Sequence, residues 1–176
     1  YEWFLILGII TSNILYSILS NEVDVAGSLA GITGVLCVVL VAKGNIWNYV
    51  FGLVNVSLYA YISFKATAYG DAALNALYYV PMQFIGYYAW KKRGASIGSD
   101  ESGRIAEVKA RRLSSKQRIL LAAGSAAAIL LVAWVLDICG DGQPLKDSTT
   151  TVLSVIAQAL MAMAFMEQWV LWILTN

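Results

Sequence analysis

With 176 residues, 59% of them hydrophobic and only 13% charged, the chain is too apolar to be an ordinary water-soluble domain of its length. Its net charge of +1 hides a strong asymmetry along the sequence, and the lack of histidine removes imidazole general bases and His-ligated metals. An all-α membrane protein is the class that remains, because barrel strands would alternate polar and apolar residues over about ten positions and no segment does.

The first apolar stretch, residues 3–19, has no basic leader and no small-residue cleavage site, so it reads as a membrane span rather than a signal peptide. Five more follow at residues 25–42, 46–64, 72–90, 119–136 and 149–166. All six are 17 to 19 residues long, close to the ~20 that cross a hydrocarbon core of ~30 Å. A seventh begins at Trp169 and reaches Asn176 within about two turns, so the expectation is a truncated last span that continues in the natural protein. In the second span Gly27, Gly31 and Gly34 form a small-residue face for close helix approach, more commonly inside one protomer than between protomers. Cys37 and Cys139 have no metal or disulfide spacing and read as packing residues.

Nine of the twelve Lys and Arg residues lie between the fourth and fifth spans: Lys91, Lys92, Arg93, Arg104, Lys109, Arg111, Arg112, Lys116 and Arg118. A loop of that charge belongs in the cytoplasm. Counting outward from it puts the N-terminus and the turn at 43–45 inside, and the turns at 20–24 and 65–71 and the loop at 137–148 outside. Glu107 and Arg111 stand at helical i,i+4 spacing, so an anionic lipid surface or a cytoplasmic partner is the other reading of this loop. A topology determinant in a Gly- and Ser-rich linker is sufficient.

The spans divide into a 3+1+3 layout: residues 1–66 as a first three-helix bundle, 67–92 as a linking helix, 93–117 as the basic loop, and 118–176 as an incomplete second bundle. Two bundles of three point opposite ways unless one span is inserted, which restores the parallel repeats of a SWEET-like seven-span bundle. Weak internal similarity agrees, with residues 43–48 opening the third span and 166–169 the seventh. It pairs Trp47 with Trp169 and, after a one-residue adjustment, Asn55 with Asn176.

Polar side chains inside spans are expensive and should face a cavity or another helix. Asn48, Gly52, Asn55 and Tyr59 share one face of the third span, and Tyr79, Gln83, Gly86, Tyr87 and Trp90 one face of the fourth. Gln158 lies in the sixth; Trp169, Trp172 and Asn176 recur at i, i+3 and i+7 in the seventh. Amides beside aromatic rings suit a small, flat, polar ligand, and a cationic ring would gain ~2 kcal/mol or more from the ring faces in a dry site. Against this stands the ordinary use of Trp and Tyr as interfacial anchors and of single amides as interhelical glue. No Asp, Glu, Lys, Arg or His lies deep within the six complete spans, which favours a facilitative carrier over a proton-coupled one.

Ile46-Trp47-Asn48-Tyr49 with Gly52, Tyr69-Gly70-Asp71, Gln83 with Gly86 and Trp90, and Glu167-x-Trp169-x-x-Trp172 with Asn176 together resemble the PnuC-type vitamin transporters, over nearly the whole chain. Many members of that family have Pro after the Trp-Asn-Tyr stretch, where Val50 stands here, which argues against a kinked third span. The resemblance implies the 3+1+3 fold, a homotrimer in the bacterial inner membrane, and a central substrate site in each protomer. It implies facilitated diffusion of nicotinamide riboside, held inward by a cytoplasmic kinase, since phosphorylation adds charge that an uncharged pathway does not pass. By the same resemblance Trp47, Asn48, Gln83, Trp90, Trp169, Trp172 and Asn176 are pocket or gate residues, and Glu167 is a gate or cap. Catalytic residues, cofactors, metals and nucleic-acid partners are not expected.

The nearest rival is the same fold with another cargo, such as thiamine or a nucleoside-like vitamin. A SWEET-type sugar carrier is disfavoured because Pro81 and the loop residue Pro144 are the chain's two prolines. A membrane scaffold without transport would use the polar groups as glue.

Overall fold

A computed structural model describes residues 7–8, 11–12, 24–97 and 107–175. Most of the first span, Arg104 in the basic loop, and Asn176 lie outside the described residues. Among those described, all regular elements are helical, and the chain separates into two compact units, Tyr1–Val108 and Lys109–Asn176.

In the first unit, α1 (Val25–Ala42) starts at Asp24, whose carboxylate accepts the Gly27 N–H at 2.9 Å, as an N-cap does. It ends in a Schellman turn. Gly44 is left-handed (φ +68°), its N–H donates to the Val41 carbonyl, and the Asn45 N–H donates to Leu40. α2 (Asn48–Lys65) follows and packs on α1, where Asn55 lies against Gly34. The small-residue face of α1 thus serves packing within the unit at that position.

The turn expected at 65–71 shrinks to residues 66–68, because Thr67 takes the left-handed conformation (φ +62°) and closes α2 at once. Helix then runs without interruption through α3 (Tyr69–Ala73), a π-helical stretch (Leu74–Tyr79) and α4 (Val80–Ile97). The widened turns lie just before Pro81, whose ring would collide with the carbonyl four residues back at Leu77 and whose nitrogen has no hydrogen to donate to it.

The second unit begins with extended chain. Glu107 and Arg111 are therefore not neighbours on a helix face, because Arg111 is drawn into backbone pairing with Phe165 instead. α5 (Ser115–Ile138) opens with a capping box in which Ser114 and Gln117 satisfy each other's backbone N–H. The loop expected at 137–148 is five residues long, 139–143, because Pro144, read above as a loop residue, is the first residue of α6 (Pro144–Ala162). α6 stops four residues before the expected 166, where Ala164 turns left-handed (φ +56°), and α7 (Gln168–Thr175) follows. Cys37 is partly buried against Gly52, as a packing residue would be; Cys139 is exposed at the end of α5 and is not one.

Among the described residues two helices, α1 and α5, are long and apolar enough to cross a membrane. Their large side chains, among them Leu29, Val38, Leu120, Leu131, Trp134 and Ile138, face outward. Exposed apolar surface on this scale is what lipid, not water, covers.

Candidate functional site

The first turn of α2 is stitched by backbone bonds from Asn48 and Tyr49 back to Asn45 and Ile46. That geometry turns the Asn48 side chain fully inside (0% exposed). Its Nδ2 donates to the Asn45 carbonyl at 2.6 Å, which fixes the orientation of the amide and leaves Oδ1 without a partner. One turn on, Gly52 admits the Gln83 side chain from α4. A Cβ at Gly52 would stand 2.6 Å from Gln83 Oε1, another buried acceptor without a partner.

The exchange is reciprocal. Gly86 on α4 makes room for the Tyr49 ring, which a Cβ there would overlap, and that ring meets Trp90 edge-on with centroids 5.3 Å apart and planes at 89°. The Tyr49 hydroxyl is buried and unpartnered too. Tyr49 and Gly52 on α2 therefore meet Gly86, Trp90 and Gln83 on α4, and Asn48, one turn before Gly52, is buried on the same side of α2, which gathers amides, a phenol and an indole.

Other candidates in this unit stand elsewhere. Asn55 donates its amide to the Ala30 carbonyl at 2.7 Å and ties α2 to α1. Trp47 (61% exposed) and Tyr59 lie on the outside of the unit, and Tyr87 is half-buried edge-on to Tyr88.

The second unit has its own set. Gln158 on α6 and Gln168 at the start of α7 are both buried, with Gln158 Nε2 and Gln168 Oε1 unpartnered. Trp169 and Trp172 on α7 are half-buried. Glu167 Oε1 meets Arg118 Nη2 at 2.8 Å and Nε at 2.9 Å and accepts the Leu113 N–H at 3.1 Å, while Oε2 is buried without a partner. Arg111 completes this cluster by lying over the Phe165 ring and donating Nη2 to the Met163 carbonyl at 3.1 Å.

Leaving a buried polar atom unpaired costs about 1–3 kcal/mol, so a set of them needs a reason. Five of the atoms above belong to uncharged groups, and a ligand rich in N–H and O–H donors would satisfy the acceptors among them. Tyr49, Gln168 and Arg118 were not among the candidates read from sequence. The first two stand inside the motifs that carried the resemblance, one residue out of phase with the chosen stripes; Arg118 had been counted only as part of a basic loop.

Residues 24–176 match the family model described as nicotinamide mononucleotide transporter. The nicotinamide riboside transporter PnuC of Neisseria mucosa is 45% identical over 149 residues, covering 85% of this chain and 56% of the relative. That of Haemophilus influenzae is 37% identical over 148 residues, covering 84% and 63%. The PnuC of Escherichia coli is 27% identical over 179 residues, covering 88% and 70%. A crystal structure of the vitamin B3 transporter PnuC superposes with a TM-score of 0.81 at 39% identity, over 99% of this chain and 73% of that one. The chain thus spans 56% and 63% of the length of the first two relatives.

Proposed function

The chain belongs to the nicotinamide mononucleotide transporter family, an all-helical family of membrane transporters rather than enzymes, and from that footing we propose that it carries nicotinamide riboside across the bacterial inner membrane. The observation that carries this reading is the set of buried, uncharged side chains with an unpartnered oxygen, Asn48, Tyr49 and Gln83, in the unit that also buries Trp90. The carboxamide and hydroxyls of a riboside offer donors to those acceptors, and its cationic ring is suited to aromatic faces. A phosphate would meet the fixed acceptor of Asn48 with more acceptors. The riboside fits this chemistry better than the mononucleotide in the family description.

Transport is facilitated diffusion, with a cytoplasmic riboside kinase maintaining inward flux by adding a charge that cannot return. Asn48, Gln83, Trp90, Gln158, Trp169, Trp172 and Asn176 meet or gate the cargo. Trp47, Tyr59 and Tyr87 are outer members of the pathway, and Glu167 is a gate held by Arg118. The architecture is the seven-span 3+1+3 bundle with parallel three-helix repeats, the N-terminus in the cytoplasm and three protomers per assembly. Residues 1–66, 67–92, 93–117 and 118–176 are the first bundle, linking helix, basic loop and second bundle.

Titration calorimetry on the purified full-length transporter tests the cargo, with nicotinamide riboside, nicotinamide mononucleotide, thiamine and riboflavin in parallel. Saturable binding of the riboside and not of its phosphate is expected. Binding of thiamine instead would keep the fold and replace the cargo, and silence from every ligand by a folded protein would favour a scaffold.

A further inference from the structure

The α1–α2 and α6–α7 turns have the same backbone wiring at a constant offset of 120 residues. Lys43, Gly44 and Asn45 donate to Val39, Val41 and Leu40; Met163, Ala164 and Phe165 donate to Ala159, Met161 and Leu160. Among the described residues all four long-helix ends with left-handed residues share that Schellman pattern. These two turns go on matching. Asn48, Tyr49 and Phe51 donate to Asn45, Ile46 and Trp47, as Gln168, Trp169 and Leu171 donate to Phe165, Met166 and Glu167. The left-handed residue also has its carbonyl capped by extended chain in both, with Val108 N–H on Gly44 at 2.9 Å and Arg111 N–H on Ala164 at 2.7 Å.

This register replaces the one suggested by sequence. Trp169 corresponds to Tyr49 rather than to Trp47, and the residue that corresponds to Asn48 is Gln168. The two share more than position. Asn48 is 0% exposed and Gln168 4%, and each has its side-chain carbonyl oxygen buried with no partner. Two amides at one structural position, both keeping an unsatisfied acceptor, are hard to explain by packing: an apolar side chain of similar volume would fill either space without leaving a polar atom unpaired.

We propose that Gln168 contacts the cargo, accepting a hydrogen bond from it as the second-half counterpart of Asn48. The inference rests on the transport reading above. It adds a specificity residue that the aromatic motif, in which Gln168 is only a spacer between Glu167 and Trp169, does not point to.

The test is titration calorimetry on the full-length transporter with Gln168→Met, which keeps the volume and removes the acceptor, and Gln168→Asn, which keeps the amide but withdraws it by one methylene. Both are run with nicotinamide riboside, with its 2′-deoxy, 3′-deoxy and 5′-deoxy forms, and with the analogue in which a methyl ketone replaces the carboxamide. The expected result is a tenfold or greater loss of riboside affinity in Gln168→Met and a smaller loss in Gln168→Asn. With the one analogue that lacks the donated hydrogen, the loss should fall below twofold. Riboside affinity unchanged in both variants, or an equal loss for every analogue, overturns the assignment while leaving the riboside as cargo. Failure of the unsubstituted transporter to bind riboside overturns both.

Discussion

The α1–α2 and α6–α7 turns are one backbone built from two chemistries. In the first unit the left-handed position is Gly44, the residue before the buried amide is an exposed tryptophan, Trp47, and the site behind it is closed by glycines that accept Gln83 and Tyr49. In the second the left-handed position is Ala164, the residue before the amide is Glu167, and the turn is fastened by Arg118, the Leu113 N–H and the Arg111 guanidinium over Phe165. One end is held by steric fit and the other by charge. Close packing fails abruptly when an atom is added, whereas an ion pair weakens gradually with salt or substitution.

The strongest break in the comparison should come from filling the first unit. In Gly86→Val the added methyls have to occupy the space of the Tyr49 ring, separating α2 from α4 and disturbing the Trp90 contact. The expected cost is about 3 kcal/mol, the upper end for overpacking, read as a large fall in the thermal midpoint of the detergent-solubilised protein with loss of riboside binding. A midpoint within a degree of the unsubstituted protein would mean that the glycine contact is not what sets the helix spacing.

Gly44→Ala should be next. It places a Cβ on a residue at φ +68° and drives that carbon into the Val108 carbonyl, so conformational cost and collision add to about 2 kcal/mol. The effect should appear as faster proteolysis near Val108 as well as a lower midpoint. Unchanged cleavage there would show that the extended segment does not depend on this turn.

Charge in the second unit gives a smaller and tunable effect. Arg118→Ala leaves the Glu167 carboxylate, only 14% exposed, with the Leu113 N–H as its remaining partner. Because Arg118 itself is half exposed, the loss is about 1–2 kcal/mol, below that of a fully buried pair. The unsubstituted protein should lose part of the same stability between low and high salt, and Arg118→Ala should not. Equal salt sensitivity in both would assign the effect to other charges.

How readily sequence revealed the structure divides by kind of feature and not by unit. Helices α1 and α5 were legible because an apolar run needs no knowledge of its neighbours. Helix ends were less so, since a left-handed Thr67 or Ala164 carries none of the glycine signal that marks Gly44, and Pro144 reads equally as a loop residue or the first residue of a helix. The stripe through Asn48 and Gly52 led to the face that meets Gln83, but Asn55, on the same stripe, is tied to Ala30, a carbonyl 25 residues earlier that no periodicity can indicate. Tyr49 and Gln168 were missed for the opposite reason. Each lies one residue from a chosen position, and only the cap geometry of the preceding turn determines which of two adjacent side chains is turned inward.

The finest distinction between the turns is the methyl group of Ala164. At φ +56° an L-residue other than glycine is strained by about 1 kcal/mol, whereas Gly44 occupies the same conformation without that strain. Ala164→Gly relieves the strain but increases the freedom of the unfolded chain and removes a buried methyl, each of which opposes the gain. The net change should lie within about 0.5 kcal/mol of zero, against a loss of about 2 kcal/mol for Gly44→Ala, the reverse exchange at the equivalent position. Thermal midpoints of the two variants, measured side by side, check this. If Ala164→Gly were as damaging as Gly44→Ala, the methyl of Ala164 would be supporting the contacts of Arg111 and Phe165, and the second turn would rely on steric fit as much as the first.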